Sequence, residues 1–527
     1  MASEIQCKVG GHIYLYESVS YRNDEGQPRN KRTPIGKIDA QTGEKIYKPD
    51  YIARMKAQGK EIGNPDSHPQ YSVNDLKKAT VLEYGLTYLL EQLAERSGLS
   101  SALAAASPRH SGQIYAMASH LVASGDPYMY CQEWLEAVDN MDCAGNLSSQ
   151  KISEILGDIS FEERETFYRE WCAHRSESEY LALDITSTSS YSELIDDVEW
   201  GYNRDGEDLA QINLCMLMGE TSRLPIYQTV YSGSLKDVST LKTTLSKFEA
   251  IAGNKPILTV MDKGFCSKKN IDTLLSDDSK FIISLPFTLS FAKRQVENER
   301  ESIDCLDNVI ILGNDCLRAV TRRLPWNEKH DVYAHIFFNP LKAANDREKI
   351  LVRVAEMRRN ASLDPEKYLS DEQYQKYLLI QLSGNGEYTV DVRDSVVENA
   401  YRTAGWLVIL SNEVDNAEEA LRIYREKDVV EKGFLKLKNS LDLGRLRVHG
   451  NTAMQNKAFI GFVALILLSQ IHIVMLGKCL YKKWTMKQLL RILAKHRVHE
   501  IKNTRIFFPL SKDQRLIYQA FNLDAPA

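Results

Sequence analysis

Closely spaced cysteine pairs are missing from this chain. Its nine cysteines (Cys7, Cys131, Cys143, Cys172, Cys215, Cys266, Cys305, Cys316 and Cys479) are odd in number, form no C-x-x-C pair and never group with histidine at zinc-finger spacing. The sequence thus offers neither a disulfide scaffold nor a structural zinc site, and a reduced, cytoplasmic protein is expected. A leader is also missing: MASEIQCKVG has neither a basic n-region nor an apolar stretch, so export is not expected. Gly/Ser-rich, Pro-rich and single-sign tracts are absent, as is any internal repeat, which argues against long disordered linkers and solenoids.

Surplus charge of one sign is lacking as well. With 66 Lys+Arg against 71 Asp+Glu the formal net charge is -5, whereas phosphate neutralisation by a nucleic-acid binder normally shows as basic surplus. The sum hides local contrast. Within residues 478–505, Lys478, Lys482, Lys483, Lys487, Arg491, Lys495, Arg497, Lys502 and Arg505 face one acid, Glu500. Such a basic arm either contacts nucleic acid or is a solvated helix face.

Long apolar runs are scarce, with one exception. Residues 458–477, AFIGFVALILLSQIHIVMLG, are about long enough to span a bilayer and are flanked by Lys457 and Lys478. Ser469, Gln470 and His472 sit in the second half and no other run resembles it, so a buried core helix is expected rather than a membrane span.

A chain of 527 residues suggests three or four units at about 150 residues each. Residues 1–75 read as a small β-rich region: 11–50 alternate aromatic and β-branched runs with turn signals at Asn23-Asp24-Glu25-Gly26 and Gln41-Thr42-Gly43. Its Arg22, Arg29, Lys31, Arg32 and Lys37 lie among tyrosines, a mix that suits DNA backbone contacts and equally a solvated sheet face. Residues 76–177 turn helical (VLEYGLTYLLEQLAERSG, SSQKISEILGDISFEERETFYREWCAHR) and read as a DNA-binding or dimerisation region. From 178 the period changes: EYLALDIT, NLCMLMGE, LPIYQTVY, PILTVMD and KFIISLPF are of strand length, with helical VSTLKTTLSKFEAIAG and SKKNIDTLLS between the later ones. Three strands in succession, then alternating helix and strand, predict a mixed α/β sheet over 178–287. Residues 288–400 read as an inserted subdomain, too long for a loop. The core resumes over 401–477 with strand GWLVILSN and one long helix from about 417 to 441, and 478–527 form a basic helical C-terminal region.

Three acids carry the chemistry. Asp184 stands at the end of the strand in LALDITS and Asp262 at the end of that in ILTVMDKGF, where rigid elements present a carboxylate to an open sheet edge. Either alone reads equally as a turn or helix cap. Glu431 lies in LRIYREKDVVEKGFLKLKNSL, where Val430, Phe434, Leu437 and Leu441 form the core stripe and Lys427, Glu431 and Lys438 the strip beside it. The plain alternative for that strip is a solvated face with i, i+4 ion pairs. Three carboxylates from two strands and a helix can bind two Mg²⁺ or Mn²⁺ ions about 3.5–4 Å apart, one for the attacking oxygen and one for the leaving oxygen.

These residues resemble the insertion-sequence DDE transposases of the YREK, or IS-four-like, group. Tyr424, Lys427, Glu431 and Lys438 fall at that group's spacing of Tyr, Arg, Glu and Lys, with Lys in place of Arg: a point charge instead of a planar fork. Asp262-Lys263-Gly264-Phe265 is similar to its second-acid motif, LALDITS to its first, and the run from Leu224-Pro225 through Tyr231-Ser232-Gly233 to Asp237 to the segment between them. The resemblance covers residues 178–477. It implies a ribonuclease-H-like core, with Asp184, Asp262 and Glu431 as catalytic ligands of two Mg²⁺ (Mn²⁺ substituting). It further implies that Tyr424, Lys427 and Lys438 sit on DNA phosphates, and offers Trp326 as a base-stacking residue beside a more ordinary packing role. The implied reaction is cleavage at transposon ends, with a hairpin intermediate as in relatives, and strand transfer into target DNA by a homodimer, in a prokaryotic, nucleoid-associated setting. A metal-dependent nuclease on the same fold and a catalytically silent DNA-binding derivative are the alternatives.

Overall fold

Alternating aromatic and β-branched residues, punctuated by turn residues, build the N-terminal sheet as expected. The computed structural model describes residues 2–9, 12–24, 26–39, 45–58, 77, 79–139, 141, 145–173, 179–253, 258–384, 386–501 and 504–524. The turn expected at Gln41-Thr42-Gly43 and the basic residue Lys502 lie outside the described residues. The chain divides into two units, Met1–Thr80 with His499–Ile506, and Val81–Val498 with Phe507–Ala527. In the first, strands Ala2–Val9, His12–Arg22, Pro28–Ile38 and Lys45–Tyr47 form an antiparallel meander. Gly26, at φ +75°, closes its first expected turn with an N–H to Asn23 O at 2.8 Å. Leu15 and Ile35 form the small core, and Arg22, Arg29, Lys31, Arg32 and Lys37 are all exposed.

The second unit is organised by a mixed sheet whose strands run in spatial order Val309–Leu312, Asp315–Pro325, Asp331–Phe338, Trp406–Ser411, Lys280–Ser284, Leu258–Met261, Tyr180–Ser189, Gln211–Gly219 and Pro225–Ser232. Tyr180–Ser189, Leu258–Met261 and Lys280–Ser284 are mutually parallel neighbours, and the remaining pairings are antiparallel. The expected mixed α/β architecture is thus present. Helices Asp237–Ala252 and Lys268–Ser276 connect the strands where the apolar period lengthens.

Three expectations need correction. Residues 288–400 are not one inserted body. Strands Val309–Leu312, Asp315–Pro325 and Asp331–Phe338 extend the central sheet, because Tyr333–Phe338 pairs with Ser411–Trp406 and so covers what would be an open edge. Only the following helices and the hairpin Leu378–Leu382/Tyr388–Val392 gather round a core of their own, Val354, Met357, Ala361, Leu378 and Val397.

The helices of 76–177 are likewise no separate body. Gly85–Arg96, Ser111–Ser124, Ser149–Asp158 and Phe161–Ala173 share one hydrophobic core with the sheet. The cause is the apolar helix Asn451–Gly477, which has no polar face and needs cover all round: the first three of these helices pack on it, as does the strand Pro225–Ser232. Phe459, Phe462, Leu465 and Ile466 are fully buried there, each burial being worth roughly 1.5–3 kcal/mol. Asn456 donates to Leu156 O and Ile159 O at 2.9 and 2.8 Å, and Arg164 donates to Gln455 Oε1 at 2.6 Å, pinning the register. Among the described residues this is the one helix long and apolar enough to cross a membrane, and it is a core helix, as expected.

The helix expected from 417 to 441 is two, Ala417–Glu426 and Asp428–Ser440, jointed at Lys427. Lys427 N–H bonds Tyr424 O and Val430 N–H bonds Lys427 O, both three residues apart, so the turn tightens at the joint.

Candidate active site

The parallel register of Leu183 with Met261 brings the next residues, Asp184 and Asp262, side by side. Asp262 ends its strand and caps the turn Lys263–Phe265 by accepting the Lys263 N–H at 2.8 Å. Asp184 does not end its strand, contrary to expectation. The strand runs on to Ser189 because the hydroxyl residues that follow are buried and continue the pairing with Gln211–Gly219. Asp184 Oδ1 accepts the N–H of Ile185 at 2.8 Å.

The two carboxyls differ in charge stability. Burial pushes Asp184 up to about 6, against the pull of Lys427 and the Ile185 N–H, and the charge of Asp262 adds to the rise. Burial pushes Asp262 up too, but Lys427, the Lys263 N–H, Tyr424 and Ser284 outweigh it and hold this carboxyl below the usual range. Tyr424 donates its hydroxyl to Asp262 Oδ1 at 2.9 Å and lies 3.0 Å from Ser284 Oγ, which is 3.2 Å from the same carboxylate oxygen. Ser284 was not singled out in the sequence. Its place at the end of the neighbouring parallel strand is the signal that could have found it.

Lys427 is 6% exposed and does not face solvent as its place on the helix strip suggested. Burial lowers the pKa of its ammonium, but Asp184, Asp262 and Glu431 together raise it beyond compensation, so it stays charged. Its Nζ lies 3.1 Å from Glu431 Oε1, and the Glu431 side chain is 55% exposed. Lys427 therefore stands among the three acids, and among the described residues no three carboxyl, imidazole or thiol groups gather closely enough to hold a metal. Lys438 is turned to the loop after the Asp184 strand, with Nζ 2.5 Å from Asp205 Oδ2. Trp326 closes the hairpin between Asp315–Pro325 and Asp331–Phe338, its indole N–H on Asp272 Oδ1 at 2.7 Å and its ring edge-on to Phe291.

The donor set fits a hard divalent cation. Asp184 and Asp262 are neighbouring carboxyl groups, one of them costly to ionise, and Glu431 is held beside them through Lys427. Gly433 lets its helix settle on the sheet, since a Cβ there would lie 2.6 Å from Met218 Sδ. From Asp262 and Tyr424 a cleft of about 880 Å³ runs to the 340–403 cluster, with Lys263, Lys293, Lys342, Lys376 and Arg425 on its walls. It is a basic channel leading away from an acidic centre.

A family profile described as "Transposase DDE domain" matches residues 175–467. No curated protein matches the chain. Among solved structures it is similar to one titled "Cryo-EM structure of piggyBac transposase synaptic complex with hairpin DNA", at 11% identity and a TM-score of 0.38, over 73% of this chain and 70% of that one. The matched segment takes in Asp184, Asp262, Glu431 and more than half of the sequence, and the chain belongs to the DDE transposase family: it is a DNA transposase.

Proposed function

We propose that this transposase is of the YREK, insertion-sequence group, with a ribonuclease-H-like core in the mixed sheet that carries Asp184 and Asp262, and that Asp184, Asp262 and Glu431 hold two Mg²⁺ ions for which Mn²⁺ can substitute. The observation that carries the reading is the placement of Lys427 and Tyr424 against the Asp184–Asp262 pair. Such ions, when bound, lower the pKa of an attacking water or 3′-hydroxyl and stabilise the leaving oxygen.

The chain's own residues prepare that chemistry. Lys427 favours the charged form of two adjacent, partly buried carboxyls, and Tyr424 with Ser284 fixes the rotamer of Asp262. Glu431, whose own side chain is exposed, joins the pair by releasing Lys427. The freed ammonium, Tyr424 and Lys438 then meet phosphates of the cleaved strand, and the basic cleft receives DNA leaving the acids. Trp326, half-buried beside Phe291, is the residue that would stack on a base. The exposed cations of the N-terminal meander and of 478–497 are further DNA contacts, a homodimer synapses the two ends, and the setting is the prokaryotic cytoplasm at the nucleoid, where the free thiols are stable.

The test is Mg²⁺-dependent cleavage and strand transfer on the element's own ends, wild type against Glu431→Gln. Loss of both steps with DNA binding retained supports the reading. Cutting without joining by the wild type points to a nuclease, and chemistry that survives Glu431→Gln removes Glu431 from the site.

A further inference from the structure

A second cavity, of about 220 Å³, opens on a different face of the Glu431 helix. Arg223 and Lys432 stand at its mouth, with side chains 38% and 59% exposed, and Lys436 and His472 line it with Met218. Four basic side chains, Arg223, Arg425, Lys432 and Lys436, meet two carboxylates, Glu426 and Asp428. Three of the cations are engaged: Arg223 with Glu426 at 3.6 Å, Lys432 with Asp428 at 2.5 Å and Arg425 with Asp315 at 2.7 Å. Lys436 makes no ion pair among the described residues.

Two groups register the resulting positive field. Burial, then Arg223 and Lys432, push Lys436 down to about 8. Burial, then Lys436, Arg223 and Lys432, push His472 down to about 4. Clustering like charges at a half-buried lysine costs stability unless an anion joins them. Arg223 is moreover held at φ +55°, a conformation few L-residues adopt, in a turn whose Thr221 and Ser222 N–H groups are tied to Glu179. The turn thus delivers a guanidinium to the rim at a backbone cost.

We propose that this pocket is a DNA-backbone site separate from the carboxylates, taking one phosphodiester group between Arg223, Lys432 and Lys436. Its oxygens supply the negative charge that Lys436 lacks, and the cavity has room for the group with bridging water. Because Lys432 and Lys436 share a helix with Glu431, a duplex seated here would lie against the element that carries the third acid.

The experiment is binding of the full-length protein to a duplex of arbitrary sequence without metal, followed by fluorescence anisotropy across a KCl series. Arg223→Gln, Lys432→Gln and Lys436→Gln are each expected to weaken binding about 3- to 30-fold and to flatten the plot of log K against log salt, and the triple variant to flatten it by about 0.9, the slope of one phosphate. Lys436→Gln is also expected to melt no lower than wild type, since it removes a crowded cation. Should it fail to fold, the exposed Lys432→Gln carries the test. Unchanged slopes in the folded variants overturn the proposal. So does inorganic phosphate that raises the wild-type melting temperature, but not that of Lys432→Gln, while DNA binding stays the same in both: the pocket would then be a site for free phosphate. None of these readouts needs cleavage, so they stand apart from the assignment of Glu431.

Discussion

The Lys427 ammonium lies 3.1 Å from Glu431 Oε1, one helical turn away, yet Lys427 is buried and Glu431 faces solvent. The lysine thus serves as an internal counter-ion for two partly buried aspartates and as a weak tether for an exposed glutamate. Lys427→Met would leave the aspartates uncompensated, and a metal-free destabilisation of about 3 kcal/mol is expected, the low end for breaking a buried pair. Adding Mg²⁺ should recover part of it. Melting curves in EDTA and in Mg²⁺ check this, and equal loss in both would show that Lys427 only packs.

Tyr424→Phe removes one hydroxyl shared by Asp262 and Ser284. A stability loss of about 1–2 kcal/mol is expected from the lost hydrogen bonds. Cleavage should slow by more than substrate binding weakens, because Asp262 loses its fixed rotamer. Single-turnover rates beside DNA affinities decide it: a change in affinity alone would place Tyr424 on the DNA and not behind Asp262.

Asp184, raised to about 6, holds its proton in the folded protein over a range in which the unfolded chain, near 3.8, has released it. Its contribution is therefore stabilising below pH 3.8 relative to high pH, and that stability is lost as pH rises through about 6. Two outcomes are expected. Metal-free Asp184→Asn should gain in melting temperature over wild type as pH increases from 4 to 6, then level off. Divalent-ion affinity of the wild type should climb over the same window, since the ligand must be deprotonated. Titrations of melting temperature and Mn²⁺ binding between pH 4.5 and 8 would show a flat difference if Asp184 were an ordinary exposed acid.

Trp326 offers a choice between packing and stacking. Trp326→Phe keeps a ring on Phe291 and loses the Asp272 hydrogen bond, for about 1 kcal/mol, whereas Trp326→Ala loses the packing as well and is expected to cost more, though less than the roughly 3–5 kcal/mol of a fully buried site. If the indole only packs, strand-cleavage rates of the Phe variant match wild type under conditions where both are folded. A tenfold loss there would assign the indole to the DNA.

How much was legible beforehand depends on the range of the interactions. The strands around Asp184 and Asp262, the connecting helices and the core helix over 458–477 were readable because periodicity and turn residues act within a few positions. The adjacency of the two aspartates, by contrast, comes from the register Leu183 with Met261, and the burial of Lys427 from a joint set by i, i+3 bonds. Sequence alone placed Lys427 on a polar strip. Only packing turned it toward carboxylates drawn from strands more than a hundred residues away.

The chain by itself determined its local elements, the spacing of Tyr424, Lys427, Glu431 and Lys438, and with these its place among DDE transposases. Tertiary structure decided that residues 309–338 extend the sheet, that the helices of 85–173 sheathe the apolar helix, and that Lys427 sits between the acids. The physical reason is that helix and strand propensities are short-ranged, whereas edge coverage, burial of an all-apolar helix and the neutralisation of paired carboxylates are satisfied only by partners distant in sequence.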